Sequence, residues 1–349
     1  MAEIIGSPND DTLAGTAGPD GMTGLGGNDT LRGLPGNDTI NGNEGNDSIE
    51  GGDGRDSIAG DEGFDWATFF SSNAAVTVNL QTGRGTGGHA EGDRYFSIEH
   101  VQGSPYNDII QGNFQPNSLI GRLGDDTIFG AEDNDFISGG PGNDTLDGNT
   151  EDDIVRPGGD QDIAHGGTGN DTVFGGHGND QSYGDEGNDT VWGNRGLDTL
   201  YGGDGDDLVI GGSEDDILNG GIGHDVLRAG NGNDTVYGGT GNDTLFGGDG
   251  ADTLVGGEGN DVYWTNKDSV TDVIVVESAT LNGADVVMDF YAQDKVDLSA
   301  LGFSSFDDVQ AILSNDGFNH AVLIAEIALI MEFTAYWVLQ TIEDNGCSR

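Results

Sequence analysis

The chain has 349 residues, 65 of them glycine, and carries 63 acidic against 11 basic residues, for a formal charge of −52. So acidic a surface excludes nucleic acid as a partner, since phosphate binding needs clustered Lys and Arg. A compact fold with that charge also repels itself unless cations neutralise it. A single cysteine, Cys347, excludes an internal disulfide, and the opening MAEIIGSPND lacks the basic and apolar regions of a cleaved leader. The longest apolar run, 321–333, is too short for a membrane helix and contains Glu326 and Glu332, so no transmembrane segment is expected.

In chain order, residues 1–65 come first. An aspartate recurs there at every ninth position: Asp11, Asp20, Asp29, Asp38, Asp47, Asp56 and Asp65. The opening units, GSPNDDTLA and GTAGPDGMT, are degenerate, as terminal repeats commonly are. Residues 66–102 break the period. Val76, Val78 and Leu80 alternate as in a strand, and Phe96, Ile98 and Val101 follow a glycine turn. This insert reads as a continuation of the same architecture with longer coils lacking the repeated aspartate. A second reading groups His89, Glu91 and Asp93 as a site.

Residues 103–264 restore the beat. It runs through Asp108, Asn117, Asp126, Asp135, Asp144, Asp153, Asp162, Asp171, Asp180, Asp189, Asp198, Asp207, Asp216, Asp225, Asp234, Asp243, Asp252 and Asp261. The last residue of each unit is often aromatic. One series holds Phe129, His165, Tyr183, Tyr201 and Tyr237, the other Phe174, Trp192, Phe246 and Trp264. Such stripes pack along a sheet, or serve as a platform for glycans or cell-surface partners. Residues 265–349 leave the repeat and read as a small β-rich C-terminal cap, with a short helix over SSFDDVQAILS and one or two strands over HAVLIAEIALIMEF.

The repeat has a physical reading. Two residues after nearly every aspartate stands an aliphatic side chain, such as Leu31, Ile40, Ile128, Val191 or Leu200. One apolar residue in nine builds no core unless units stack, each aliphatic residue on its equivalent in the next coil. The flanking residues then point outward, as strand alternation requires. Two units make one coil, so aspartates stack at intervals of eighteen residues. Carboxylates about 4.8 Å apart, one strand spacing, repel unless a cation lies between them. A glycine-rich turn ending in Asp offers carboxylate and carbonyl oxygens, the ligands a hard cation such as Ca²⁺ takes. Pairs of positions eighteen apart allow up to about 21 sites, and that many Ca²⁺ ions would reduce the charge to about −10. The expected fold is all-β, a parallel β-roll or β-helix solenoid of G-G-x-G-x-D-x-U-x units. Each of these repeated aspartates is a candidate metal ligand.

Residues 5–65 and 103–264 resemble the RTX, or hemolysin-type, calcium-binding repeats of hemolysins, serralysin-type proteases, secreted lipases and alginate epimerase modules. The segment GADVVMDFYAQDKVDLSALGF resembles the post-array segment of serralysin-type proteins, with Asp285, Asp289, Phe290, Asp294, Lys295, Asp297, Leu298 and Ser299 matching. The resemblance implies a 1–65 and a 103–264 calcium-binding array, a 66–102 non-calcium solenoid insert, and a 265–349 cap with a type I secretion region. It further implies a secreted or cell-surface protein that meets the type I secretion apparatus and folds on binding extracellular calcium.

No catalytic motif is present: there is neither H-E-x-x-H nor G-x-S-x-G. The array histidines, His165, His177 and His224, fall at different repeat positions and form no ligand set. The expectation is a structural or adhesive, non-catalytic protein. The alternative is an accessory calcium-binding module of a secreted protease, lipase or epimerase whose catalytic domain lies elsewhere.

Overall fold

The computed structural model describes residues 2–266, 269–275, 285–288, 293–297 and 322–323. These residues form two compact units, Met1–Thr172 and Val173–Arg349, which divide inside the second aspartate block. Among the described residues there is no α-helix, and the one helical turn is a 3₁₀ turn at Gly88–Ala90.

In the first unit, strands pair in parallel with partners eighteen residues on. Leu13 lies on Leu31 and Leu31 on Ile49 in one sheet, while Met22 lies on Ile40 and Ile40 on Ile58 in the other. The six-residue strands show the burial expected of alternation, with the second and fourth residues inward, as in Thr39–Glu44. The second residue is the aliphatic one. Leu31, Ile40, Ile49, Ile58, Ile128 and Leu146 are fully buried. Burial of apolar surface is worth about 25 cal/mol per Å², so this column draws each coil onto the next.

The interruption keeps the register. Arg94–Phe96 pairs in parallel with Ser57–Ala59, and His100–Gln102 pairs with both Trp66–Thr68 and Ser118–Ile120. Thr77–Asn79 lies parallel to Ile109–Gln111 and antiparallel to Arg84–Thr86. The insert therefore adds strands to the same two sheets, with one hairpin, Thr77–Asn79 and Arg84–Thr86, inside one of them.

The second unit repeats the plan. Leu200, Leu218, Val236 and Leu254 form one column, and Val191, Val209, Leu227 and Leu245 the other. All eight are fully buried. Val273–Val275 and Lys295–Asp297 extend the first sheet, and Asp285–Val287 extends the second, where Val322–Leu323 pairs antiparallel to it. The helix expected over 304–314, most of the apolar run from 320 to 333, and Asp289, Phe290, Leu298 and Ser299 lie outside the described residues.

Candidate metal centres

Every candidate aspartate sits at the entrance of a strand, where a glycine-rich turn delivers it. All but the half-exposed Asp11 are buried. The carboxylates form ladders along each unit. Along the ladders, Oδ1 accepts the backbone N–H of the ladder residue one coil earlier. In the first unit Asp11, Asp20, Asp29, Asp38 and Asp47 donate in this way to Asp29, Asp38, Asp47, Asp56 and Asp65 at 2.7–2.8 Å. Farther along the unit, Asp108, Asp126, Asp135, Asp144 and Asp153 donate to Asp126, Asp144, Asp153, Asp162 and Asp171 at 2.7–2.8 Å. In the second unit one ladder runs Asp180, Asp198, Asp216, Asp234, Asp252 and the other Asp189, Asp207, Asp225, Asp243, Asp261, with bonds of 2.7–3.0 Å.

The second oxygen is the chemically telling one. In Asp29, Asp38, Asp47, Asp56, Asp65, Asp126, Asp135, Asp144 and Asp153, Oδ2 is buried and accepts no hydrogen bond. The same holds in Asp198, Asp207, Asp216, Asp225, Asp234, Asp243 and Asp261 of the second unit. A buried polar atom without a partner costs about 1–3 kcal/mol, and more when charged. A row of them is stable only with a compensating cation or proton. Where glycine opens the turn it leaves room for this oxygen: a β-carbon on Gly33 would stand 2.5 Å from Asp38 Oδ2.

Metal-free, these carboxylates resist ionisation. Burial raises Asp126, Asp153 and Asp216 from the usual 3.8 to about 8, and Asp56, Asp144, Asp207 and Asp234 to about 7. The donated backbone N–H opposes the shift, and neighbouring carboxylates add to it. Among the described residues no three His, Cys, Asp or Glu side chains converge on one point. A cation here would therefore be held by at most two carboxylates, with backbone carbonyls completing an all-oxygen shell. That donor set suits Ca²⁺ and not a transition metal.

Three candidates differ. The Oδ2 of Asp11, Asp20 and Asp108 is already engaged by the N–H of Ser7, Thr16 and Ser104, at 2.5–2.6 Å. Asn117 is also satisfied: its Oδ1 accepts from Asn113 N–H in its own turn and its Nδ2 donates to the Glu99 carbonyl one coil earlier, both at 2.7 Å.

The structure also places carboxylates on the ladders that the nine-residue period conceals. Asp56 N–H donates to Asp93 Oδ1 at 2.8 Å and Asp65 N–H to Glu99 Oε2 at 3.0 Å, so the insert carries the ladder across the gap. Asp272 and Asp285 accept from Asp252 and Asp261, both at 3.0 Å, although they lie 20 and 24 residues away. Only unequal coil lengths hide them.

The grouping of His89, Glu91 and Asp93 does not form. Asp93 turns to the ladder and to Tyr95, and Glu91 to Gly87 N–H. His89 faces Asp53 at 3.3 Å and Ser71 at 3.4 Å. A second, outer ladder is absent from the sequence reading. In many units the side chain before the aspartate, often Asn, accepts the backbone N–H one coil later, as Asn28 does from Asn46 and Asn188 from Asp206, both at 2.8 Å. Its signal is the recurrent Asn-Asp pair.

The outward aromatic positions stack on one another: Tyr183 on Tyr201 with centroids 4.8 Å apart, Phe174 on Trp192 at 6.3 Å, and Phe246 on Trp264 at 5.7 Å.

The sequence model of the RTX calcium-binding nonapeptide repeat matches the chain at residues 5–40, 32–67, 102–137, 130–164, 157–191, 192–227 and 228–263, which together exceed half its length. No individually curated protein matches it.

Proposed function

Because the chain belongs to the RTX calcium-binding nonapeptide repeat family, whose repeats bind calcium ions, we propose that it is a secreted scaffold that folds when it meets extracellular calcium. The observation that carries this reading is the row of buried, unpartnered Oδ2 atoms in register along each unit. The ladder aspartates are the ligands in this reading, each ion shared between turns eighteen residues apart. When bound, calcium supplies charge neutralisation. The chain supplies the preformed oxygen cradle and the apolar column behind it.

Extracellular calcium modules bind at roughly 10⁻⁴–10⁻³ M, so the cytosolic chain stays unfolded and passes a type I secretion apparatus, then folds outside. The role there is structural or adhesive rather than catalytic. Limited proteolysis tests this. The array is expected to be digested within minutes in a chelator and to resist in millimolar calcium. Equal resistance in both conditions would remove calcium-gated folding.

A second reading concerns partners. In the second unit a cavity of about 530 Å³ is lined by His177, Trp192, Asn194, Arg195, Ile210 and Ser213. An indole face beside polar donors suits a sugar ring. Trp192→Ala is expected to abolish retention on a glycan array, and unchanged retention would eliminate this reading.

A further inference from the structure

We propose that the residue four positions before each ladder residue decides whether its turn takes calcium, and that the turns ending at Asp11, Asp20, Asp108 and Asn117 take none. The inference rests on the reading of the unpartnered carboxylate oxygens as calcium ligands, and it divides the repeats into open and closed turns.

In the closed turns the deciding residues are Ser7, Thr16, Ser104 and Asn113. Each turns its backbone N–H onto the side-chain oxygen at the end of its own turn, at 2.5–2.7 Å. Hydroxyls reinforce two of these caps: Thr16 Oγ1 donates to Asp20 Oδ2 at 2.8 Å, and Ser104 Oγ to Asp108 Oδ1 at 2.7 Å. None of the four residues has a left-handed backbone.

In each turn named above whose Oδ2 lacks a partner, the same position is left-handed. Glycine fills it in many, as at Gly203 with φ 124°. The informative cases carry a β-carbon: Leu25 at 83°, Leu34 at 70°, Arg122 at 93° and Ala131 at 101°. Such residues seldom adopt this conformation, and strain of that kind persists where function holds it. The left-handed turn redirects the N–H. Arg122 donates to the carbonyl of Gly139 at 2.7 Å, whereas Ser104, one coil earlier, donates to its own aspartate. The Oδ2 of Asp126 is thereby released.

The electrostatics follow. An N–H aimed at Oδ2 puts its positive end where a cation would stand and already satisfies the oxygen. An ion entering a closed turn must break that bond and face the donor. An open turn offers an unsatisfied oxygen with no donor aimed at it. The closed turns sit at the starts of the two aspartate blocks, so each block begins on coils that are complete without metal.

Two natural turns allow a direct exchange. Residues 103–108 read GSPYND and are closed, while residues 139–144 read GGPGND and are open, with Asp144 Oδ2 unpartnered. The double variant S104G/Y106G converts the first sequence into the second, and G140S/G142Y does the reverse. Native mass spectrometry of the full chain in calcium is expected to show one ion more for the first variant and one fewer for the second. Calcium anomalous scattering from crystals of the unmodified protein is expected to show ions at open turns and none between the turns of Asp108 and Asp126. Unchanged ion counts in both variants, or an ion at Asp108 in the unmodified protein, would overturn the proposal while leaving the calcium reading intact. A chain that takes up no calcium would defeat both.

Discussion

The ladder aspartate does two jobs with two oxygens. At Asp225, for example, Oδ1 ties one coil to the next through the backbone N–H of Asp207, and Oδ2 is buried with no hydrogen bond to accept. That division makes its charge state depend on conditions. Burial raises the folded, metal-free pKa values of Asp126, Asp153 and Asp216 to about 8, above the usual 3.8. A group with a raised folded value stabilises the fold fully below about pH 4 and loses that contribution as pH climbs through 8. In a chelator the chain is therefore expected to hold more β-structure at about pH 5 than at about pH 8.5, as read by far-UV circular dichroism. Calcium uptake near neutral pH is expected to release protons, measurable by calorimetry in buffers of different ionisation heat.

Asn117 shows how far a single letter can be read. By residue type alone, Asn117→Asp would favour a cation, because a carboxylate replaces an amide. In the structure the turn is closed, and the amide Nδ2 donates to the Glu99 carbonyl. A carboxylate would face that carbonyl with no proton to give. The substitution is now expected to cost about 1–3 kcal/mol and to add no ion, checked by denaturant unfolding and by ion count. The aspartate beat was legible because every regular unit repeats it. Asp93 and Glu99 were not, since insertions of unequal length move them off the period while the fold returns them to the ladder.

At the scale of the element, the nine-residue unit was legible almost entirely. Its aliphatic residue, its alternation and its glycine turn each follow from one requirement, that a strand too small for its own core must stack. Leu218 lies between Leu200 and Val236, fully buried. Leu218→Ala is expected to cost about 2–5 kcal/mol in the calcium-loaded protein, seen as a lower midpoint in denaturant with the slope unchanged. A loss below about 0.5 kcal/mol would mean that stacked apolar residues do not hold the coils together. What the pattern hid is backbone conformation. Arg122 and Ser104 occupy equivalent letters, yet one is left-handed and the other is not. Neither residue type alone announces which, since both carry a β-carbon and such residues seldom adopt the left-handed form.

At the scale of the whole molecule, charge decides. The chain carries a formal charge of −52, much of it in ladders whose carboxylates lie one strand apart. With 11 basic against 63 acidic residues, ion pairs within the chain do not offset this repulsion. Arg32 is spent on Glu50 at 3.8 Å and Arg156 lies over Phe136, both outside the ladders. Among the described residues no helix is long and apolar enough to cross a membrane. The apolar columns are one side chain wide in each sheet, and on the proposed reading they alone do not offset that repulsion at neutral pH. On the proposed reading, then, calcium in the turns decides whether the chain is folded, and the apolar column only shapes what calcium permits. A calcium titration at about pH 7.5 followed by far-UV circular dichroism, with magnesium as the control, separates these two contributions. A cooperative change from coil to β-structure is expected between about 10⁻⁴ and 10⁻³ M calcium, and none with magnesium. A chain already fully β-structured in chelator at that pH would contradict the dependence on calcium.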